Sequence, residues 1–274
     1  MIDRLEPHVL TTTVGKLHIS LSRSVNLLTR TAAPAAVHDA RIAIRRLRIA
    51  LHCLNAQLIP SLGKRYKSAL RQLAQDLEVV READARVLAV NTLIERYNTV
   101  DRKEAREVLA VAHRERTHSR RLLRRSIQSI AWRERVAELA RYAEHGLTVD
   151  ESKDAILTIR NDFTRRRQHL RRTLRDIAHK PRRLHCLRLQ VKDLRYLTEN
   201  FLQSPTSGHV MRLKRLRQLQ NRLGEFHDNW RLKKWLRTHF RGQPIANSWS
   251  ALIKRRQTRL LRHVRRLARK YRTK

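Results

Sequence analysis

Two segments of the sequence place positively charged side chains in a row at helical spacing. In the first segment, residues 37–54, the row consists of His38, Arg41, Arg45 and Arg48. At about 100° per residue, these four residues fall within roughly 80° of a helix circumference. Arginine binds two phosphate oxygens at once through its planar fork, and side chains three or four residues apart on a helix lie about 5–6 Å from each other. Such a row predicts a binding site for a polyanion with repeating charges.

The second segment, residues 184–201, repeats this row with His185, Arg188, Lys192 and Arg195, each 147 positions after its counterpart. An apolar stripe at i, i+3, i+4 and i+7 spacing adjoins the row in both segments. Because position and charge are both matched, we interpret the pair as an internal duplication.

A second pair of matched segments adds one candidate to each row. LEVVREAD, which begins at Leu77, aligns with LGEFHDNW at an offset of 146 positions. The alignment pairs Arg81 with His227, and both residues are predicted to join the site. The alternative is that these residues form internal salt bridges with neighbouring acids such as Glu82 and Asp228.

Weaker candidates lie on the fourth predicted helix of each half, where basic residues also share a face. They are Arg116, Arg120 and Arg124 in the first half and Lys254, Arg255, Arg259 and Arg262 in the second. Arg256 lies nearer the apolar arc and is excluded from the predicted lining. The alternative for these basic rows is a solvated helix face. For His38 and His185, the alternative is a structural role at a helix end or in the core.

The composition and periodicity of the remaining sequence predict the helices that hold these rows in place. Helix formers dominate, glycine and proline number six each, and no alternating apolar run supports a strand. We therefore predict an all-α fold in which a four-helix repeat, residues 1–130, and a second one, residues 151–274, are joined by a short helix within 131–150. The predicted helices span about 7–30, 37–60, 64–97, 101–128, 132–145, 152–179, 182–203, 209–240 and 247–271. Pro7 suits a first helical position, Asp101 can cap the fourth helix, and Gly146 can close the fifth. Breaks are predicted at 61–63, at 204–208, which includes Pro205, and at Gly242 and Pro244.

The net positive charge of the chain indicates which class of molecule it binds. The 274 residues include 62 Lys and Arg against 24 Asp and Glu, a formal net charge of +38. Such a field repels itself and favours a polyanionic partner, so inorganic polyphosphate, nucleic acid and anionic membrane surfaces are the candidates. The two cysteines occupy positions that the repeat does not match, which argues against a disulfide framework. We expect a reducing compartment, the cytoplasm.

The sequence argues against a metal site, catalysis and a membrane segment. None of the 14 histidines forms an i, i+4 zinc pair, and the arginines around His38 and His185 would repel a cation. No phosphate-binding glycine loop, nucleophile motif or acidic magnesium cluster occurs, so we expect no cofactor and no catalytic residue. The N-terminus has acids where a signal peptide has bases, and the longest uncharged run, residues 49–63, is too polar to span a bilayer.

The repeated motifs match those of a known family. H-x-x-R-x-x-x-[RK]-x-x-R begins at His38 and again at His185, and together with LEVVREAD and LGEFHD it resembles the CHAD family, the conserved histidine α-helical domain. The resemblance covers nearly the whole chain. It implies two pseudo-symmetric helical bundles around a central basic cavity that holds inorganic polyphosphate without catalysis.

The chain departs from the family pattern at two positions. Glu82 stands where aspartate is usual, and Asp193 follows Lys192 where a second base is common. By helical phase Asp193 lies off the cationic row, so the row itself is retained. The E-x-E-x-K strand of the CYTH triphosphatase domain, which accompanies some family members, does not occur. We therefore expect a stand-alone CHAD domain.

One function and one alternative follow from these observations. We expect a non-catalytic module that binds inorganic polyphosphate or a similar polyanion in the cytoplasm, with polyphosphate granules as a candidate location. Non-specific nucleic-acid binding by the same basic surface is the alternative. It is less favoured because aromatic residues, 5% of the chain, supply few stacking platforms for single strands. We expect no membrane partner, and the sequence leaves the oligomeric state open.

Overall fold

The computed structural model describes residues 8–31, 33–53, 60–97, 100–144, 153–177, 181–201 and 206–272. Within these residues the regular structure is entirely α-helical, which confirms the predicted fold class. The helices are α1 (His8–Thr31), α2 (Pro34–Cys53), α3 (Pro60–Arg96), α4 (Arg102–Gln128), α5 (Ile130–Glu144), α6 (Lys153–Thr173), α7 (Pro181–Phe201), α8 (Ser207–His239) and α9 (Pro244–Arg272). Four helices, a short connecting helix and four more occur in the predicted order.

The predicted boundary between α2 and α3 is wrong. Pro60, which was predicted to lie near the end of α2, instead begins α3, and residues 54–59 between the two helices lie outside the described residues. The predicted turn at 61–63 is therefore helical. Proline suits the first position of a helix, because the N–H that it lacks would have no partner within the helix there.

The predicted end of α6 is also wrong. The helix ends at Thr173 rather than near His179. Just beyond it, the Arg175 N–H donates to the Arg172 carbonyl at 3.0 Å, a tightened i to i+3 turn that takes the chain out of the α-helix. Pro7, Gly146 and Pro205, which were predicted to begin or end helices, lie outside the described residues.

Other helix ends follow their local sequence as predicted. Asp101 caps α4, since its Oδ1 accepts the N–H of Glu104 at 2.9 Å. Gly242 has φ 77° in the turn between α8 and α9, a left-handed conformation that glycine adopts without steric cost. The turn reverses the chain, and α9 packs along α8.

The chain divides into two compact units, each built from separate stretches of sequence. The first unit comprises residues 1–81, 118–165 and 196–205, and the second comprises 82–117, 166–195 and 206–274. Both units draw on both halves of the sequence. The predicted repeat boundaries describe the duplication along the chain, and they stay a prediction.

The core of the first unit forms where α1 packs against α2 and α5. Leu10, Leu21 and Leu28 on α1 are fully buried, and the apolar stripe of α2 is buried as well, which matches their helical spacing. His18 on α1 lies in this core, with Nδ1 at 2.6 Å from the hydroxyl of Tyr66 on α3. Burial lowers the pKa of His18, because the core disfavours the charged ring.

The second unit has a core at which α3, α4, α8 and α9 meet. Two tryptophans dominate it, and each donates its indole N–H to a glutamate of α4. Trp235 Nε1 lies 3.0 Å from Glu115, and Trp249 Nε1 lies 3.1 Å from Glu104. These bonds satisfy indole donors that would otherwise be costly to bury.

Candidate functional site

The α2 row, defined as His38, Arg41, Arg45 and Arg48, lies in the first unit beside the buried stripe of α2. His38 and Arg48 are exposed, while Arg41 and Arg45 are half-buried. The stripe consists of residues that are all buried, namely Val37, Ala40, Ile44, Leu47 and Leu51. Packing of this stripe fixes the rotation of α2, so the basic side chains emerge together along one edge.

A glutamate on α3 joins Arg41 of this row to Arg81. Glu78 Oε2 lies 3.1 Å from Arg41 Nη2, and Glu78 Oε1 lies 3.2 Å from Arg81 Nη1. One carboxylate thus bridges two guanidinium groups. Burial lowers the pKa of Arg41 and nearby Arg81 lowers it further, whereas Glu78 opposes both effects. Arg41 and Arg81 therefore converge on one anionic group, as predicted for Arg81 by repeat equivalence.

The α7 row, defined as His185, Arg188, Lys192 and Arg195, lies in the second unit. Arg188 is buried, with 6% of its surface exposed, and the other three residues are half-buried. Arg195 Nε donates to Gln220 Oε1 on α8 at 2.8 Å. The row is thus held against α8 and presents less of its charge to solvent than helical periodicity suggests.

The first histidine of the α7 row packs against a second histidine ring. The rings of His185 and His227 lie 4.6 Å apart between centroids, and His227 is 5.7 Å from Trp230. His227 is buried. The structure therefore brings His227 to the α7 row, as the sequence predicts, through ring packing that the sequence did not indicate.

The two motif histidines occupy different environments. Each is the fifth residue of its helix, counted from Pro34 and Pro181. His38 is exposed, so the alternative of a core histidine is wrong for it. His185 is half-buried against His227 and combines ring packing with partial access to solvent.

Arg81 and the acid next to it both take part in internal ion pairs. Arg81 bonds to Glu78 on its own helix, and Glu82 bonds to Arg231 on α8. Both residues therefore take part in internal salt bridges, with Glu78 and Arg231 as partners rather than with each other as the alternative paired them. An anion that approaches Arg81 would therefore meet a guanidinium group whose Nη1 is already bonded to Glu78.

The predicted row on α4 is shared between the two units. Arg116 belongs to the second unit, while Arg120 and Arg124 belong to the first. Arg116 Nη2 donates to His113 Nδ1 at 2.9 Å, an assignment that follows because arginine has no acceptor. Arg124 is exposed, and Arg120 is half-buried.

A groove along α9 includes two of the weaker candidates and four residues that sequence reasoning missed. Lys254, Arg255, Arg259 and Arg262 are all exposed. The groove has a volume of about 610 Å³ and is lined by Arg259, Arg262, His263, Arg265, Arg266 and Arg269. Their spacing of three and four residues was the signal that could have identified it. Local desolvation lowers the pKa of His263, and the positive charges of Arg266, Arg222, Arg259 and Arg262 lower it further.

Arg256 lies apart from this groove, as its helical phase predicts. The residue is buried, and its Nη2 donates to Glu225 Oε2 on α8 at 2.5 Å. Glu225 also bonds to Arg222 at 2.7 Å. The Arg256 charge is therefore paired inside the second unit and ties α9 to α8.

Among the residues that the structure describes, no group of three or more histidine, cysteine or acidic side chains could hold a metal ion. None of the described helices is long and apolar enough to cross a membrane.

The chain is similar to known proteins in sequence and in fold. A sequence model of the CHAD domain matches residues 20–237. PptA from Streptomyces chartreusis superimposes with a TM-score of 0.78 at 15% identity, over 98% of this chain and 100% of that chain. The CHAD domain from the plant Ricinus communis superimposes with a TM-score of 0.65 at 19% identity, over 97% and 92% of the two chains. No curated protein matches the sequence. At these identities the structural likeness shows a shared fold alone.

Proposed function

The chain belongs to the CHAD domain family, and from that premise and its two cationic rows we propose that it binds inorganic polyphosphate without catalysis. The observation that carries the proposal is the convergence of Arg41 and Arg81 on both oxygens of one carboxylate. A phosphate group of a polyphosphate chain offers the same arrangement, two anionic oxygens accessible to two guanidinium groups. The site needs no cofactor for such binding.

The chemistry of polyphosphate suits rows of this kind. The chain has about one negative charge per repeating unit and no bases to read, so recognition depends on many cations at regular intervals. Side chains three or four residues apart on a helix offer that regularity. The α2 row and the α7 row each supply four such positions.

Nucleic acid is the second candidate, and the exposed groove on α9 favours it. Five arginines and a histidine line this groove, and a phosphate backbone could follow such a surface without base contacts. Binding of this kind depends on diffuse charge rather than on the two matched rows. The two candidates therefore differ in ligand preference and in the residues required.

A direct comparison of ligands tests the proposal. Long-chain polyphosphate and duplex DNA are titrated at matched phosphate concentration, with fluorescently labelled protein. We expect tighter binding of polyphosphate, with a log–log salt slope of roughly −4 to −7 if about six to ten contacts form. Equal or tighter binding of DNA would favour the nucleic-acid alternative. A slope near −1 on polyphosphate would mean that the cationic rows are not the site.

A further inference from the structure

The two halves of the sequence differ at one position beside the cationic rows. The alignment at an offset of 146 places Gly224 of α8 opposite Glu78 of α3. Glu78 bridges Arg41 and Arg81 in the first unit. The matched position in the second unit therefore has no side chain that could accept a bond from an arginine. Of the two matched positions, only Glu78 in the first unit is an acid.

The placement of Glu78 resembles that of a bound anion. Both carboxylate oxygens are used, one on each guanidinium. The Glu78 side chain is 42% exposed, more than either Arg41 at 22% or Arg81 at 18%. The Glu78 side chain is therefore more accessible to solvent than either of the arginines that it binds.

We propose that Glu78 is an internal competitor that a phosphate group must displace from Arg41 and Arg81. This inference rests on the proposed function and concerns the affinity of the first row. A partly exposed ion pair is weak enough to exchange, because water screens it and each side chain loses rotational freedom in it. A ligand with several phosphates displaces the carboxylate more readily than a single phosphate, since its other contacts raise the effective concentration at this point.

The opposite role for Glu78 makes the opposite prediction. If the carboxylate serves to hold Arg41 and Arg81 in a binding geometry, its removal weakens phosphate binding. If it competes, its removal strengthens binding. The sign of one substitution therefore separates the two roles.

The experiment measures tripolyphosphate binding by calorimetry for wild type and Glu78→Gln. We expect about three- to tenfold tighter binding by the variant, the effect of freeing two partly exposed ion pairs. Glu134→Gln is the matched control, because Glu134 is an exposed residue of the same unit and its substitution changes the net charge equally. Equal affinity for the two variants, or weaker binding by Glu78→Gln, would overturn the proposal.

A second comparison tests whether the gain in affinity on Glu78→Gln depends on Arg41 and Arg81. In a background that carries Arg41→Gln and Arg81→Gln, the further change Glu78→Gln should give a smaller gain in affinity, since the two guanidinium groups of the bridge are no longer present. A gain of the same size in this background would contradict the proposal. Wild-type binding of long-chain polyphosphate, measured in parallel, keeps the two proposals separate: its absence rejects the proposed function, whereas its presence with no gain rejects only the role of Glu78.

The reciprocal variant introduces a glutamate at Gly224, the position that matches Glu78, and removes no native side chain. A Cβ built at Gly224 meets no atom within 4 Å, and residues with side chains favour a helix more than glycine does, so the fold should accept Gly224→Glu. We expect about three- to tenfold weaker tripolyphosphate binding than for Gly224→Gln, which fills the same space without charge. Equal affinities would overturn the claim that an acid at this position sets the affinity.

Discussion

The α2 row and the α7 row have matched residues but different surroundings. In the first unit, Arg41 is half-buried and shares Glu78 with Arg81. In the second unit, the equivalent Arg188 is 6% exposed, and the equivalent of Arg81 is His227, which packs on the ring of His185. In the α2 row, Glu78 partly neutralises Arg41 at the surface. In the α7 row, the equivalent Arg188 is buried inside the protein.

The difference shows what a duplicated motif retains. Helical spacing conserves the face on which the charges lie, so both rows border a buried apolar stripe. The neighbouring helix decides how much of each charge reaches solvent. A glutamate on α3 and a glycine with ring packing on α8 produce two versions of the same row.

The largest expected effect comes from removing one central cation of each row together. We expect Arg45→Gln with Lys192→Gln to weaken polyphosphate binding by about 1.5–3 kcal/mol per position, the range for hydrogen bonds to charged groups. The fold should be retained, because each change removes a cation from a crowded row. The measurement is polyphosphate affinity at fixed salt, with thermal unfolding as a check.

The matched control for this pair consists of two exposed arginines, Arg133 in the first unit and Arg102 in the second. Their substitution by glutamine removes the same charge from one residue per unit. If both pairs of substitutions lose equal affinity, diffuse charge explains the binding, and the comparison of the two rows has no functional meaning.

A smaller effect is expected on the free energy of unfolding. It should differ between Arg41 and Arg188, the second residue of each row. We expect Arg188→Ala to lower the free energy of unfolding by about 2–3 kcal/mol, since a buried side chain loses its packing and its polar partners. Arg41→Ala should cost at most about 1 kcal/mol, because its ion pair with Glu78 is partly exposed. Urea unfolding of both variants provides the measurement. Equal losses would show that the difference in burial has no energetic consequence.

The smallest expected effect concerns the α9 groove, a third cationic face beside the two rows. The pKa of His263 lies below its ordinary value because of desolvation and four nearby arginines. A polyanion in the groove would neutralise those arginines and favour the charged ring, so the pKa should rise on binding. An NMR titration of His263 with and without saturating polyphosphate measures the shift. An unchanged pKa would place the ligand outside the α9 groove.

Local sequence predicted much of the fold and part of the candidate site. The apolar stripes and the charge rows have helical spacing, which depends only on the geometry of one helix. For the same reason the cap at Asp101 and the buried phase of Arg256 agree with the prediction. The sequence also predicted the order of the helices, because breaks between the periodic segments are visible along the chain.

Tertiary packing decided the features that depend on a neighbour distant in sequence. The burial of Arg188, the bridge from Glu78 to Arg41 and the ring contact of His227 each require a second helix at a specific distance and rotation. The compact units likewise combine stretches from both halves of the chain. Spacing within one helix specifies the face on which a residue lies, but the residue that meets it there is set by how the helices pack.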